Sequence, residues 1–281
     1  MSRNEEKWTE SFVKLMEGQR FEEAFALKEE QIPNKLFRYR PFPENVKDSN
    51  NTIGELLQRY VYLTSADKVD DSGEGFVRVD TLRYMNSACT GDELSDKVFA
   101  TACNKLTEER KTIARVGVRY CCFAEGSDVK GRLMPANSMM WGTYADKSKG
   151  ICIEYDMTKL PKQSLLRRFM YPVVYSDTPY DATNKFISAA KEDDGSVVGY
   201  DVLAHMFKRR DWERQREWRL IYGGGVISED SPCVRFDVMS AVYIGANAPN
   251  KVRNVLNHNA DSIGVPIFEM EEALDGLRWR K

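Results

Sequence analysis

The most informative stretch of the sequence runs from Asp211 to Tyr222 and reads DWERQREWRLIY. A run of charged residues changes here into an aromatic and aliphatic strand. Because side chains alternate between the two faces of a strand, Gln215, Glu217 and Arg219 are expected to share one face. A carboxylate at the start of a strand, with an amide two residues before it, can bind the hydroxyls of a ribose. It can equally form half of a structural ion pair.

The composition indicates a globular protein with a substantial core. The chain has 281 residues, of which 42% are hydrophobic and 30% are charged. The net charge is -2, so no overall field would attract nucleic acid or an anionic membrane, although a nucleic-acid partner stays open. No apolar run approaches the ~20 residues that span a bilayer, and no apolar segment follows the charged start as in a secretory signal. A cytoplasmic protein without a membrane partner is expected.

The inventory of cysteine and histidine argues against a zinc site and against a Ser-His-Asp triad. The six cysteines form no Cys-x-x-Cys pair, and most stand in apolar surroundings where free, reduced thiols are expected. His205 and His258 are the only histidines, and their spacing offers no partners for either chemistry. No metal is therefore expected.

Helices dominate the start of the sequence and strands dominate from Val116 onward. Apolar residues recur at helical spacing as far as Pro33, so residues 1–33 are predicted to form two helices. Residues 34–281 are predicted to form a single α+β domain with a helical insertion at about 79–114. The order of elements favours a mixed, mostly antiparallel sheet over alternating β-α-β units.

Apolar and alternating runs predict the individual strands, which are 35–40, 62–65, 116–123, 150–155, 173–175, 218–222, 233–236, 240–244 and 267–270. Helical spacing after the first two helices predicts further helices at 53–60, 137–145, 184–191, 202–209 and 251–256.

Two arginines stand two positions apart on the first predicted strand. Arg38 and Arg40 therefore share a face, and guanidinium forks suit phosphate or carboxylate groups. The alternatives are a solvated strand face or a pairing with Glu154 or Glu217. The pattern alone leaves these open.

Trp141 and Tyr144 stand three positions apart on a short predicted helix that leads into a charged turn. Aromatic side chains beside glycine and charged residues often line a pocket that stacks a flat ring. The same spacing is typical of two core residues. It favours the core for Trp141 and leaves both roles open for Tyr144.

Two longer motifs resemble a known family. One reads MWxxYADxxKGICIEY over residues 140–155, and the other reads KxxxWxxQxEWRLI over residues 208–221. Together with FRYR at residues 37–40, they are similar to the bacterial family named domain of unknown function 2971. The resemblance covers most of residues 35–245 and implies no chemistry by itself.

A more distant resemblance is to ADP-ribosyltransferases of the Arg/Ser/Glu class. These carry an arginine on the first strand, a Ser/Thr element on the second, and Gln-x-Glu or Glu-x-Glu at the start of a later strand. This sequence has matching residues in the same order, namely Arg38 or Arg40, then Thr64 and Ser65, then Gln215 and Glu217.

The resemblance to these transferases implies that NAD is a substrate. The arginine would bind a phosphate of NAD, and the Ser/Thr hydroxyl would brace the glutamate. Glu217 would hold the ribose 2'-hydroxyl and stabilise the charge that develops as nicotinamide leaves, and the element around Gln215 would help to select the acceptor. Tyr144 would stack the nicotinamide ring. A transferase-like fold and a role as a bacterial toxin or phage-defence effector are further implications, and the macromolecular acceptor is not indicated.

Two other functions compete with this expectation. One is a non-enzymatic module that binds a nucleotide or nucleic-acid base between Trp141, Tyr144 and Glu217. The other is a metal-dependent nuclease or hydrolase in which Asp70, Asp71 and Glu217 hold Mg²⁺, although the scarcity of histidine argues against it. Convergence of an early arginine, a hydroxyl and Glu217 on one cleft would favour the transferase. A Glu217 that points into a closed core salt bridge would exclude the catalytic role.

Overall fold

A computed structural model shows how these segments are arranged. It describes residues 3–42, 46–69, 73–88, 115–129, 132–192, 200–223, 226–227, 232–273 and 276–280, with the single positions 97, 101, 104, 105, 108 and 112. Helices and a mostly antiparallel sheet make up this part of the chain, which confirms the predicted α+β class. None of the helices in these residues is both long enough and apolar enough to cross a membrane.

The α-helices of the described residues are α1 (Arg3–Glu17), α2 (Phe21–Glu29), α3 (Val46–Gln58), α4 (Thr81–Ala88), α5 (Ser138–Tyr144), α6 (Leu165–Arg168), α7 (Thr183–Glu192), α8 (Tyr200–Ala204), α9 (Asn250–His258) and α10 (Ala260–Ile263). The first two lie where the sequence predicts two N-terminal helices. Helix α1 packs onto the sheet, where its Trp8 stacks on Trp218 with ring centroids 6.0 Å apart. Of the helical insertion, α4 and the single positions after it are helical, and the rest of 89–114 lies outside the described residues.

The strands are β1 (Lys35–Arg40), β2 (Tyr60–Tyr62), β3 (Val77–Arg78), β4 (Arg119–Glu125), β5 (Ser127–Val129), β6 (Arg132–Met134), β7 (Ile151–Asp156), β8 (Met170–Pro172), β9 (Val174–Ser176), β10 (Tyr180–Asp181), β11 (Phe207–Arg209), β12 (Glu217–Tyr222), β13 (Cys233–Arg235), β14 (Met239–Ile244), β15 (Ile267–Ala273) and β16 (Gly276–Arg280).

Eight of these strands form one sheet in the order β16-β15-β14-β7-β1-β4-β12-β8. Every neighbouring pair in it is antiparallel except β14 and β15, which are parallel. Side chains from both faces of this sheet are buried. Leu36, Phe123 and Leu220 belong to the core on one face, whereas Phe37 and Ala124 belong to the core on the other. Such alternation is the expected result of a pleated strand covered on both sides.

The sheet opens between β1 and β4. These two strands pair only at Leu36–Glu125 and Phe37–Ala124, whereas β1 pairs with β7 along its entire length. Beyond Phe37 the two strands separate. Tyr120 of β4 instead forms an isolated β-bridge with Thr64. The fork that results lets side chains from both faces of the sheet reach one opening.

Three predicted segments need correction. The strand predicted at 116–123 is β4 at Arg119–Glu125, because residues 115–117 are helical. The segment 202–209 is predicted as a helix, but α8 ends at Ala204 and Phe207–Arg209 is strand β11, which runs parallel to β9. Pairing with a distant strand overrides the local helical pattern here. The strand predicted at 62–65 is β2 at Tyr60–Tyr62, and Thr64 forms only a single bridge.

Candidate functional site

A cavity of about 770 Å³ lies at the fork between β1 and β4. Its walls include Arg38 and Arg40 from β1 and Tyr120 to Ala124 from β4. Other segments complete it, and their lining residues are Tyr62, Thr64, Lys68, Val69, Glu74, Met140, Thr143, Tyr144, Lys208, Arg209, Asp211, Trp212, Gln215 and Glu217. The volume lies within the range of small-molecule sites. This cleft therefore gathers most of the residues that the sequence singles out.

The two arginines of β1 form one wall of the cleft. Arg38 and Arg40 share a face of the strand, as predicted, and the buried Glu55 of α3 lies between them. Arg38 Nη2 donates to Glu55 Oε1 at 3.2 Å, and Arg40 Nε lies 3.1 Å from Glu55 Oε2. Neither Glu154 nor Glu217 is paired with this arginine pair (Arg38 and Arg40) within the described chain. Instead Glu154 accepts a hydrogen bond from Tyr243 Oη at 2.7 Å.

The position of Arg40 depends on a glycine of the first long motif. A Cβ added to Gly150 would lie 2.1 Å from the carbonyl oxygen of Arg40, far inside van der Waals contact. Only glycine allows the turn after α5 to approach β1 so closely. The Lys149-Gly150 step of the motif thus has a structural explanation.

Four charged side chains form an ion-pair cluster (Glu74, Lys208, Glu217 and Arg219) at the floor of the cleft. Arg219 Nε donates to Glu217 Oε1 at 2.7 Å, and Lys208 Nζ donates to Glu217 Oε2 at 2.9 Å. The terminal nitrogens of Arg219 form a fork with Glu74 at 2.7 and 2.8 Å, and Lys208 lies 3.1 Å from the same carboxylate. Two cations thus neutralise two anions. Glu217 both lines the cleft and belongs to this buried network.

Burial and charge act in opposite directions on the acids of this cluster. Burial alone would raise the pKa of Glu217, but Arg219 and then Lys208 outweigh it and hold that pKa well below its ordinary value. Burial would lower the pKa of Lys208, but Glu217 outweighs it and raises that pKa instead. Glu217 is therefore a permanent anion near neutral pH. It is suited to holding a hydroxyl or a developing positive charge, and not to accepting a proton.

Gln215 is not part of strand β12, in contrast to the alternation expected from the sequence. It ends the 3₁₀ helix Arg210–Gln215, and Arg216 follows in the left-handed region with φ 46°. Strand β12 starts at Glu217, so only Glu217 and Arg219 share the expected strand face. The amide of Gln215 still reaches the cleft, where its Nε2 donates to Tyr144 Oη at 2.7 Å. The turn at Arg216 thus brings Gln215 and Glu217 to the same cavity.

Three aromatic side chains form the rim of the cleft. Tyr62, Tyr144 and Trp212 line the cavity and also reach solvent, with Tyr62 43% and Tyr144 37% exposed. Lys208 Nζ lies 5.4 Å from the centre of the Trp212 ring. We call Tyr62, Tyr144 and Trp212 the aromatic rim. Its rings are accessible to a flat ligand group.

The structure does not bring Trp141 and Ser65 to the cleft. Trp141 is 1% exposed, donates from Nε1 to the carbonyl of Pro135 and packs edge-on against Tyr39. It is a core residue. Ser65 is buried at the start of a short 3₁₀ helix, while the neighbouring Thr64 lines the cavity.

Sequence patterns alone did not identify several contributors to the cleft, among them Glu55, Tyr62, Glu74, Lys208 and Trp212. Lys208 and Trp212 do stand in the second long motif, so a signal for them existed. Glu55 and Glu74 carry no local signal, because their partners lie far away in the sequence. Asp70 and Asp71 of the magnesium alternative lie outside the described residues, and within those residues no His, Cys, Asp or Glu cluster is arranged for a metal ion.

The fold and the cleft define an α+β protein with a polar, aromatic-rimmed site in a forked sheet. A family model described as Protein of unknown function (DUF2971) matches residues 140–220. This segment contains both long motifs up to Leu220, and it contributes Tyr144, Lys208 and Glu217 to the cleft. The match supports the resemblance to that family over this part of the chain. No curated protein and no solved structure matches the sequence.

Proposed function

We propose that the cleft binds a nucleotide and that NAD is the first ligand to test. The observation that supports this most is convergence. Arg38, Arg40, Thr64 and Glu217 come from separate segments of the chain and line one cavity. Residues this far apart in the sequence need not meet in one cavity, so their convergence supports a shared role.

Each part of a nucleotide has a matching group in the cleft. The arginine pair offers guanidinium donors to phosphate oxygens. The aromatic rim offers Tyr144 and Trp212 to a base or to nicotinamide. Glu217 and Gln215 offer oxygen and amide groups to ribose hydroxyls. The cavity of about 770 Å³ is large enough for these parts together.

An ADP-ribosyltransferase reaction, and a fold related to such enzymes, is the enzymatic form of this proposal. The bond between ribose C1' and the nicotinamide nitrogen would break, and the nitrogen would keep the electron pair. Glu217 would stabilise the positive charge left on the ribose while holding its 2'-hydroxyl. An acceptor nucleophile would then bond to C1' and lose its proton to solvent. For this, Glu217 would exchange part of its contact with Lys208 for one with the ligand.

A non-enzymatic nucleotide-binding module is the second candidate. It is favoured by one observation, which is that cations hold both carboxylate oxygens of Glu217. In that case the ion-pair cluster is a rigid floor, and the ligand is bound without being cleaved.

The test is NAD binding by titration calorimetry together with measurement of nicotinamide release. Arg40→Gln is expected to weaken binding, whereas Arg235→Gln, an exposed arginine beside Asp237 and away from the cleft, is expected to leave it unchanged. Release that is abolished in a Glu217→Gln protein that remains folded and still binds NAD supports the transferase, and binding without release in the parent supports the module. Absence of binding by NAD, ADP-ribose and AMP to the folded protein would overturn the proposal.

A further inference from the structure

The arginine pair shares a single buried carboxylate. Glu55 is 3% exposed and lies between Arg38 and Arg40, at 3.2 and 3.1 Å. Two cations therefore face one anion, which leaves one positive charge in this wall of the cleft. Burial, and next the neighbouring Arg38, lower the pKa of Arg40, whereas Cys121 and then Glu55 outweigh burial and raise the pKa of Arg38.

The hydrogen bonds of this group are also incomplete. Nε of Arg38, Nε of Arg40 and Oε2 of Glu55 are buried and have no hydrogen-bond partner in the described part of the chain. Arg40 and Glu55 are close enough for an ion pair, but their contact does not have hydrogen-bond geometry. Buried donors without partners are costly, so the two Nε–H groups gain when a ligand oxygen accepts from them. Glu55 Oε2 is an acceptor and is not satisfied by a ligand oxygen, so it competes with that oxygen for the same donors.

Glu55 also connects three elements. It projects from α3, it contacts the two arginines of β1, and its Oε1 accepts a hydrogen bond from the backbone N–H of Tyr62 in β2 at 3.1 Å. Arg38 is held further by Cys121 Sγ and by the carbonyl of Tyr62. The guanidinium groups are thus fixed before any ligand arrives, which reduces the entropy cost of binding.

We infer that Glu55 is the resident counter-ion of the arginine pair, and that a phosphate of the ligand competes with it for the two guanidinium groups. The competition rests on the proposed nucleotide binding, whereas the counter-ion role does not. A carboxylate that neutralises half of the charge sets the anion affinity of the site. Its removal should therefore strengthen anion binding while it weakens the fold.

The experiment compares the parent with Glu55→Gln, which removes the charge and keeps an oxygen for Tyr62 N–H. The probe is inorganic pyrophosphate at matched ionic strength with chloride. Glu55→Gln is expected to melt at a lower temperature in chloride, to regain more stability from pyrophosphate than the parent does, and to bind it about tenfold more tightly. If Glu55 had only a structural role, Glu55→Gln would lower the stability and leave the affinity for pyrophosphate unchanged.

Glu154→Gln is the matched control. Glu154 is another buried carboxylate, 1% exposed, but its partners are Lys35, Ser240 and Tyr243, outside the cleft. The Glu154→Gln variant should be less stable than the parent, and pyrophosphate should stabilise it no more than it stabilises the parent. An equal or weaker pyrophosphate affinity in Glu55→Gln than in the parent, or a rescue no larger than in Glu154→Gln, would overturn the inference.

If Glu55→Gln does not fold, the charge balance is tested with Arg40→Gln and with Arg40→Gln/Glu55→Gln. The single variant leaves no net charge in this group and should bind pyrophosphate about tenfold more weakly than the parent. The double variant keeps one positive charge and should return close to the parent. A double variant that binds no better than Arg40→Gln contradicts the inference. Rescue of Glu55→Gln by pyrophosphate, with no binding of NAD, ADP-ribose or AMP by the parent, would refute nucleotide binding and retain the counter-ion role of Glu55.

Discussion

Lys208 Nζ and Glu217 Oε2 lie 2.9 Å apart at the floor of the cleft. Because Arg219 binds the other oxygen of Glu217, this carboxylate is not free to turn toward a ligand on its own. Any ligand hydroxyl at Glu217 must share it with Lys208. The structure thus combines the two possibilities that the sequence set against each other, since Glu217 is at once part of a buried ion-pair cluster and part of a cavity wall.

Replacement of Glu217 by Gln is expected to destabilise the fold. Lys208 and Arg219 would keep only Glu74 as a counter-ion, and breaking a buried ion pair costs about 3–5 kcal/mol. The free energy of unfolding in urea would measure this. Asp211→Asn is the control, because Asp211 forms an exposed pair with Arg209 and should contribute little. An unchanged midpoint for Glu217→Gln would show that the cluster does not stabilise the fold.

The pH dependence of the free energy of unfolding should show the contribution of the buried His205. Burial lowers the pKa of this side chain to about 4. The pKa of His205 is lower in the folded state than in the unfolded state. The stability that this residue contributes is therefore fully present above about pH 6.5 and is lost as the pH falls toward 4. The loss over this range is roughly 3 kcal/mol, since the unfolded chain binds the proton first.

Urea unfolding at a series of pH values would measure this slope. His205→Gln should flatten it between pH 6.5 and 4, whereas His258→Gln, at an exposed position, should leave it as in the parent. A slope that persists in His205→Gln would assign the loss to other groups. Below this range the acids of the ion-pair cluster add to the loss, because their lowered pKa values make their contribution disappear as the pH falls further.

A pair of glycines in the first long motif gives opposite expectations. Gly150→Ala would place a Cβ 2.1 Å from the carbonyl of Arg40, so β1 must shift, at a cost of about 1–3 kcal/mol. Gly142→Ala would meet no atom within 4 Å and lies in helix α5, where alanine should stabilise by about 0.5–1 kcal/mol. Thermal unfolding of both variants checks this. Equal effects would contradict the close approach of the turn to β1.

The local part of the site was predictable from the sequence, and the non-local part was not. The strand period placed Arg38 with Arg40 on one face, and Glu217 with Arg219 on another. The strand character of 207–209 was not predictable, since β11 forms by pairing with β9. Glu74 meets Arg219 across 145 positions of the chain, and no local pattern reports such a contact. The left-handed Arg216 likewise separates Gln215 from the strand that simple alternation assigned to it.

Tyr144 and Trp141 should respond in opposite ways to replacement by alanine. Trp141→Ala removes a fully buried side chain and is expected to cost about 3–5 kcal/mol of stability, without a direct effect on a ligand. Tyr144→Ala removes a partly exposed ring of the aromatic rim, so its effect on the fold should be small. Its effect on nucleotide affinity should be roughly tenfold, as expected for a stacked base.

Tyr144→Phe separates the ring of this residue from its hydroxyl. It keeps the surface for stacking and loses only the hydrogen bond from Gln215 Nε2. Most of the nucleotide affinity should therefore remain, and the measurement is titration of AMP and NAD against the parent and each variant. A Tyr144→Ala protein that is fully folded and binds as tightly as the parent would exclude the rim from recognition, and the ligand would then have to be held by the arginine pair and the floor of the cleft.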